Sequence, residues 1–171
     1  MKEGLIVGSG DIAMALAEAG IYLTGKCFFA SGVSNSREIR QEEFDRERNL
    51  LLDQDRELRL IYFGTLAMFY ADTPYTKHKF EMEQLVKKAF PSYAILRLGT
   101  IVWGTNPNTI INHFKGQLDR GEPIEIQDTN RYVIDKPEFL HWVNLIPKWN
   151  VEMCLTGQPM LIKEIVKKYV L

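Results

Sequence analysis

Three short apolar runs, Leu5-Ile6-Val7, Cys27-Phe28-Phe29-Ala30 and Leu60-Ile61-Tyr62-Phe63, each end abruptly in a small or polar turn. Runs of this length, bounded by turn residues, read as strands buried on both faces. Between them lie stretches with helical character. Residues 12–19 read as a short helix closed by Gly20, and 37–55 as a charged amphipathic helix with Phe44, Leu51 and Leu52 among its apolar positions. Residues 75–90 read as a helix stopped by Pro91, with Phe80, Leu85 and Val86 as an incomplete apolar stripe. A fourth strand over 93–98 follows, then a helix over 110–118, a short strand over 124–126 and a helix over 137–146. A strand over 151–155 and a helix over 161–169 end the chain. Strand alternating with helix predicts an α/β domain with a parallel sheet.

The 171 residues, 46% apolar and 25% charged, suffice for one compact domain with a real core. A net charge of −1 gives no electrostatic case for nucleic acid or an anionic membrane as partner. Cys27 and Cys154 do not make a disulfide framework, which points to a reduced, cytoplasmic setting. The apolar run near the N-terminus is too short for a signal or membrane segment. His78, His113 and His141 lack metal-ligand spacing, so no metal site is expected, and His78 is expected to face solvent. The charged stretch 37–48 reads as a solvated helix face, with dimerisation as the alternative; Trp142 and Trp149 read as core or interface residues.

Two constellations carry chemistry. Gly8-Ser9-Gly10-Asp11-Ile12-Ala13 fits G-x-G-x-x-G/A between a strand and a helix, where glycines let the backbone approach a pyrophosphate and helix N–H groups bind it. Asp11 either opposes such a phosphate or caps the helix. The acid expected about 20 residues on, for a ribose, is absent around Lys26-Cys27-Phe28-Phe29. The motif is therefore either a cofactor turn or simply a tight strand–helix turn. The second constellation is Tyr75 and Lys79, four apart on one helix face, with Thr65 at the preceding strand end. A nearby ammonium favours a phenolate, so the trio suits proton transfer coupled to hydride transfer.

With these motifs the chain resembles the extended short-chain dehydrogenase/reductases, the NAD-dependent epimerase/dehydratase group that acts on nucleotide sugars. LIVGSGDIAMAL, FFASGVSNS, LIYFGT, PYTKHKFEMEQLV and ILRLGTIVWG match in order, and GEPIEIQDTNRYVID and GQPMLIKEIVKKY echo the family more weakly. The resemblance implies a reduced Rossmann-like parallel sheet with flanking helices and a small C-terminal extension. Residues 1–171 would form a single NAD(P)-binding domain, with a substrate-side extension within 105–171. It implies Tyr75 as the acid/base, Lys79 lowering its pKa and holding the nicotinamide ribose, and Thr65 bonding the reacting sugar oxygen. Gly8, Ser9, Gly10, Asp11 and Ile12, then Ala30, Ser31 and Gly32, would lie along NAD or NADP. Asn108, Asn112 and Arg131 would line the nucleotide-sugar cleft.

The departures are specific. The chain passes from Gly20 through Lys26 straight to what looks like the family's fourth strand, so the second and third strands, which bind the adenosine half of the cofactor, are missing. Only nine residues separate Thr65 from Tyr75. The implied function is a miniature sugar-nucleotide epimerase, dehydratase or reductase that binds its cofactor weakly. The alternative is a non-catalytic relative serving as a binding, scaffold or regulatory protein. A bare edge at Leu5-Ile6-Val7, with the helices over 37–55 and 75–90, implies a homo-oligomer.

Overall fold

The structure is a computed structural model that describes residues 2–171. Five parallel strands form the main sheet, in the order β1 (Leu5–Val7), β2 (Lys26–Phe29), β3 (Arg59–Thr65), β4 (Tyr93–Leu98) and β7 (Val151–Leu155). Helices α1 (Asp11–Glu18), α2 (Gln41–Leu52) and α3 (Pro74–Ala89) connect the first four strands, and α5 (Lys136–Asn144) precedes β7. This is the Rossmann-like α/β architecture that the strand–helix alternation predicts.

Side-chain alternation along each strand sorts the core into two layers. On β3, Ile61 and Phe63 join Leu16 of α1 and Phe139 and Val143 of α5 on one face. Leu60 and Tyr62 join Leu51 of α2 and Met82 and Val86 of α3 on the other. The strands are apolar on both faces because helices cover both.

A smaller sheet sits beyond the ends of β4 and β7. Its order is β5 (Thr100–Ile101), β6 (Asn130–Ile134) and β8 (Gln158–Leu161), with β6 and β8 antiparallel. Helices α4 (Ile110–Asp119) and α6 (Ile162–Tyr169) pack beside it through Ile111, Phe114, Ile165 and Val166.

Several expectations need correction. Residues 124–126 form no strand, and Ile126 is exposed; the pairing lies instead at β6 and β8, which local periodicity did not mark. Helix α2 begins at Gln41 rather than 37, because Glu38 turns the chain before it by accepting from the Ile39 and Arg40 N–H groups and the Arg40 guanidinium. Phe80 is over half exposed; α3 buries Tyr75, Thr76, His78, Lys79, Met82, Glu83 and Val86 instead. His78 is therefore buried, not solvated. Nor is the 37–48 stretch a wholly solvated face, since Glu47 is completely buried. Trp142 and Trp149 lie at the surface, at 37% and 70% exposure, so of their two expected placements, core or interface, the core is excluded.

Candidate functional site

The carboxyl ends of β1 to β4 open into a cleft of about 860 Å³, the position where open parallel sheets bind ligands. Ser9, Gly10, Asp11, Ile12, Ala30, Ser31, Gly32, Thr65, Tyr75, Lys79, Asn108 and Arg131 all line it. Gly8 and Asn112 do not. Gly8 has φ +125°, and a Cβ there would lie 2.4 Å from the Ala30 carbonyl oxygen. Its role is close passage of the β1 turn against the end of β2, where the Ala30 N–H donates to Val7 O at 2.8 Å. Asn112 donates its amide to the Gly104 and Asn106 carbonyls and so braces the loop before α4.

Gly10 is different. It is the extended N-cap of α1, and a Cβ there would meet nothing within 4 Å. Asp11 makes no side-chain cap; its carboxylate accepts from the Thr105 and Asn106 N–H groups, each at 2.9 Å. That bond pair ties the glycine turn to the far wall of the cleft. Among the lining residues Asp11 is the sole acid, facing Arg37, Arg46 and Arg131 as well as Lys79. The Arg46 guanidinium donates to Ser31 O, and Arg131 stacks 5.5 Å from the Tyr70 ring. The charged stretch signalled Arg37 and Arg46 without saying that they border a cleft.

Helix α3 starts cleanly because Thr73 caps it, accepting from the Thr76 N–H at 3.2 Å, with Pro74 at the first helical position. This start places Tyr75 at the cleft wall beside the end of β3. Thr65, whose Oγ1 accepts from Ala67 N–H at 3.1 Å, stands there and stabilises the phenolate by hydrogen bonding. Lys79 Nζ lies 5.9 Å from the Tyr75 ring centroid. Burial raises the Tyr75 pKa; Lys79 and Thr65 pull it down, Glu47 and Tyr70 push it up, and the net direction is upward. The depressed phenol implied by the YxxxK spacing is not what this arrangement gives.

Burial is the chief reason, and the group that stands behind Lys79 adds to it. Glu47 Oε1 and Oε2 accept from Lys79 Nζ at 2.9 and 3.2 Å. Glu47 also accepts from the Tyr62 hydroxyl at 2.7 Å, the Val33 N–H at 2.8 Å and, through Oε2, bonds His78 Nε2 at 2.9 Å. Its carboxyl is held well below the usual range: burial opposes this, while Lys79 and the hydrogen bonds of His78, Val33 and Tyr62 outweigh it. Tyr62 in turn accepts from Lys79 Nζ at 3.3 Å. A Cβ on Gly32 would fall 2.6 Å from Lys79 Nζ and 2.9 Å from Glu47 Oε1, so the cluster packs directly under the loop that carries Ala30, Ser31 and Gly32. Sequence reasoning missed Glu47 altogether; its only local signal is a carboxylate on the buried side of a helix.

No protein-family model matches the sequence, and no curated protein matches it significantly. Solved structures do match in fold. The Bordetella bronchiseptica enzyme WbmG, in complex with NAD and UDP, superposes with TM-score 0.66 at 16% identity over 84% of this chain and 54% of its own. UDP-glucuronic acid 4-epimerase from Bacillus cereus, in complex with UDP-glucuronic acid and NAD, gives 0.65 at 15% identity over 92% of this chain and 60% of its own. UDP-glucose 4-epimerase from Thermotoga maritima, with UDP-glucose, gives 0.63 at 13% identity over 92% and 63%. The chain thus spans 54–63% of the length of these three structures. It shares the Rossmann-like fold of these structures, with a five-stranded parallel sheet in which β1 stands at the edge.

Proposed function

We propose that the cleft binds a nucleotide sugar and a nicotinamide dinucleotide, NAD or NADP, in epimerase, dehydratase or reductase chemistry, with Tyr75 moving the proton. The observation that carries this reading is that Tyr75, Thr65 and Lys79 line the same cleft as the open Gly10 turn. The nicotinamide, when bound, supplies the hydride donor or acceptor. The residues on its side fit: Ser9, Gly10 and Ile12 offer backbone to a phosphate, Ala30, Ser31 and Gly32 form the facing loop, and Thr65 orients the reacting oxygen against Tyr75. Asn108, Arg46 and Arg131 present donors to a diphosphate, a role suited to a forked, permanent cation. On this reading the smaller sheet, with α4 and α6, is the substrate side of a single domain.

The adenosine side fits poorly. β1 has β2 on one flank and no strand on the other among the described residues. Weak dinucleotide binding follows, with Kd on the order of 10–1000 μM, since each 1.4 kcal/mol of lost contact is about tenfold. Calorimetry with NAD, NADP and UDP-sugars tests this, and failure to bind any of them refutes it. A second reading, a binding or scaffold protein on the same fold, is favoured by two observations: the Asp11 carboxylate sits in the cleft, and Lys79 is already fully bonded without a ligand. Binding of a UDP-sugar without a dinucleotide would support it.

A further inference from the structure

Lys79 Nζ has three protons and three acceptors within 3.3 Å: both Glu47 oxygens and Tyr62 Oη. The lysine and glutamate are both almost wholly buried, at 3% and 0% exposure. They approach from different helices, α3 and α2, and are locked together through β3 by Tyr62. A lysine so held faces the phenol as half of a neutral ion pair, not as a free cation. We propose that Glu47 is a positioning residue for the Tyr75–Lys79 pair: it holds the lysine's charge, leaves Tyr75 a resident proton donor, and biases the cleft toward carbonyl reduction.

The argument is electrostatic. Opposite charges 2.9 Å apart look like a dipole from the Tyr75 ring, 5.9 Å from Lys79 Nζ. Burial is what chiefly keeps the neutral phenol favoured, and Glu47 adds to it by opposing part of the lysine field that would draw off the phenolic proton. The charged and titratable groups facing Tyr75 are Lys79 from its own helix, Glu47 from α2, Tyr62 from β3 and Tyr70 beyond the 3-10 turn Leu66–Phe69, together with the Thr65 hydroxyl of β3. His78 reaches the cluster only through Glu47.

A neutral Tyr75 is suited to one direction of proton transfer. In a carbonyl reduction Tyr75 would give its phenolic proton to the carbonyl oxygen, a reduced nicotinamide, when bound, would supply the hydride to the carbon and be oxidised, and the phenolate would recover its proton from solvent. Oxidation of an alcohol needs the phenolate at the start, and this cluster opposes it. The substrate class that fits is a keto sugar attached to a nucleotide, which rests on the reading of the cleft given above.

Titration of the ligand-free protein labelled with ¹³Cζ-tyrosine tests this without any cofactor, with the Tyr75 signal assigned by Tyr75→Phe. Tyr75 should remain protonated through the ordinary tyrosine value of about 10. Glu47→Gln, which frees the lysine charge, should lower its midpoint by about one to two units, and Lys79→Met should raise it. A wild-type midpoint near 6–7, or no shift in either variant, overturns the proposal. If Glu47→Gln does not fold, the wild-type midpoint and Lys79→Met decide alone. A calorimetric failure to bind nucleotides would sink the proposed function and leave this titration untouched.

Discussion

Replacing Lys79 by Met removes the cation from a carboxylate that is completely buried. Glu47 keeps the Val33 N–H, the Tyr62 hydroxyl and His78, yet its charge is left uncompensated in the core. Breaking one partner of such a pair typically costs about 3–5 kcal/mol. For a domain of this size each kcal/mol is about 2–4 °C in Tm, so Lys79→Met should fall by roughly 6–20 °C. Glu47→Gln leaves the opposite charge stranded, with Tyr62 Oη as its remaining partner, and should cost a similar amount. The double variant Glu47→Gln/Lys79→Met buries no charge. Its loss should be smaller than the sum of the singles by about 2–3 kcal/mol, the coupling expected of residues in contact. Urea denaturation of the four proteins, with m constant across the set, measures this. Singles costing under about 1 kcal/mol, or additivity within about 0.5 kcal/mol, would refute the reasoning.

The acid limb of stability should follow the same carboxylate. Glu47 is held below its ordinary value of 4.5 in the folded protein, so the unfolded chain takes up its proton first as pH falls. Its contribution is complete above that value and drains away below it; urea melts from pH 7 to 3 should show the decline, and Glu47→Gln should flatten it. Gly8→Ala should lower stability by at least about 1–3 kcal/mol from backbone strain alone, before its clash with the Ala30 carbonyl, and a thermal melt equal to wild type would contradict the assigned close approach. Sedimentation at micromolar concentration should show a homodimer or larger assembly, formed through the β1 edge or through α2 and α3; a clean monomer counts against both surfaces.

Local sequence carried the main sheet. Apolar runs such as 60–63 and 93–98 are interior strands wherever they occur, because two-sided burial leaves no polar face to conceal. The start of α3 was equally legible from Pro74 and the Tyr75/Lys79 spacing, since capping and i, i+4 placement depend on residues a few positions apart. Within the cleft's lining, the glycine turn pointed to Gly10 and Asp11, and the strand-end hydroxyl with its phenol and ammonium to Thr65, Tyr75 and Lys79, while Ala30, Ser31, Gly32, Asn108 and Arg131 were implied by the family resemblance. Gly8 and Asn112 fell outside it because their contacts are with backbone that arrives from elsewhere, at Ala30 and at Gly104 and Asn106. The two-residue strand β5 and the pairing of β6 with β8 lacked a strong periodic pattern, so tertiary pairing alone defines them.

The sequence by itself determined that a phenol and an ammonium share a helix face near a strand end, because that follows from 3.6 residues per turn. Only the tertiary structure decided what the ammonium does. Glu47 is 32 residues before Lys79 and on another helix, and it meets the lysine because α2 and α3 pack on the same face of the sheet. That packing also buries His78, which as an isolated residue on a charged helix gave no sign of it. The net direction in which the Tyr75 pKa moves depends on burial and on what else lies within a few ångströms, and both are set by packing between elements rather than by spacing along one of them.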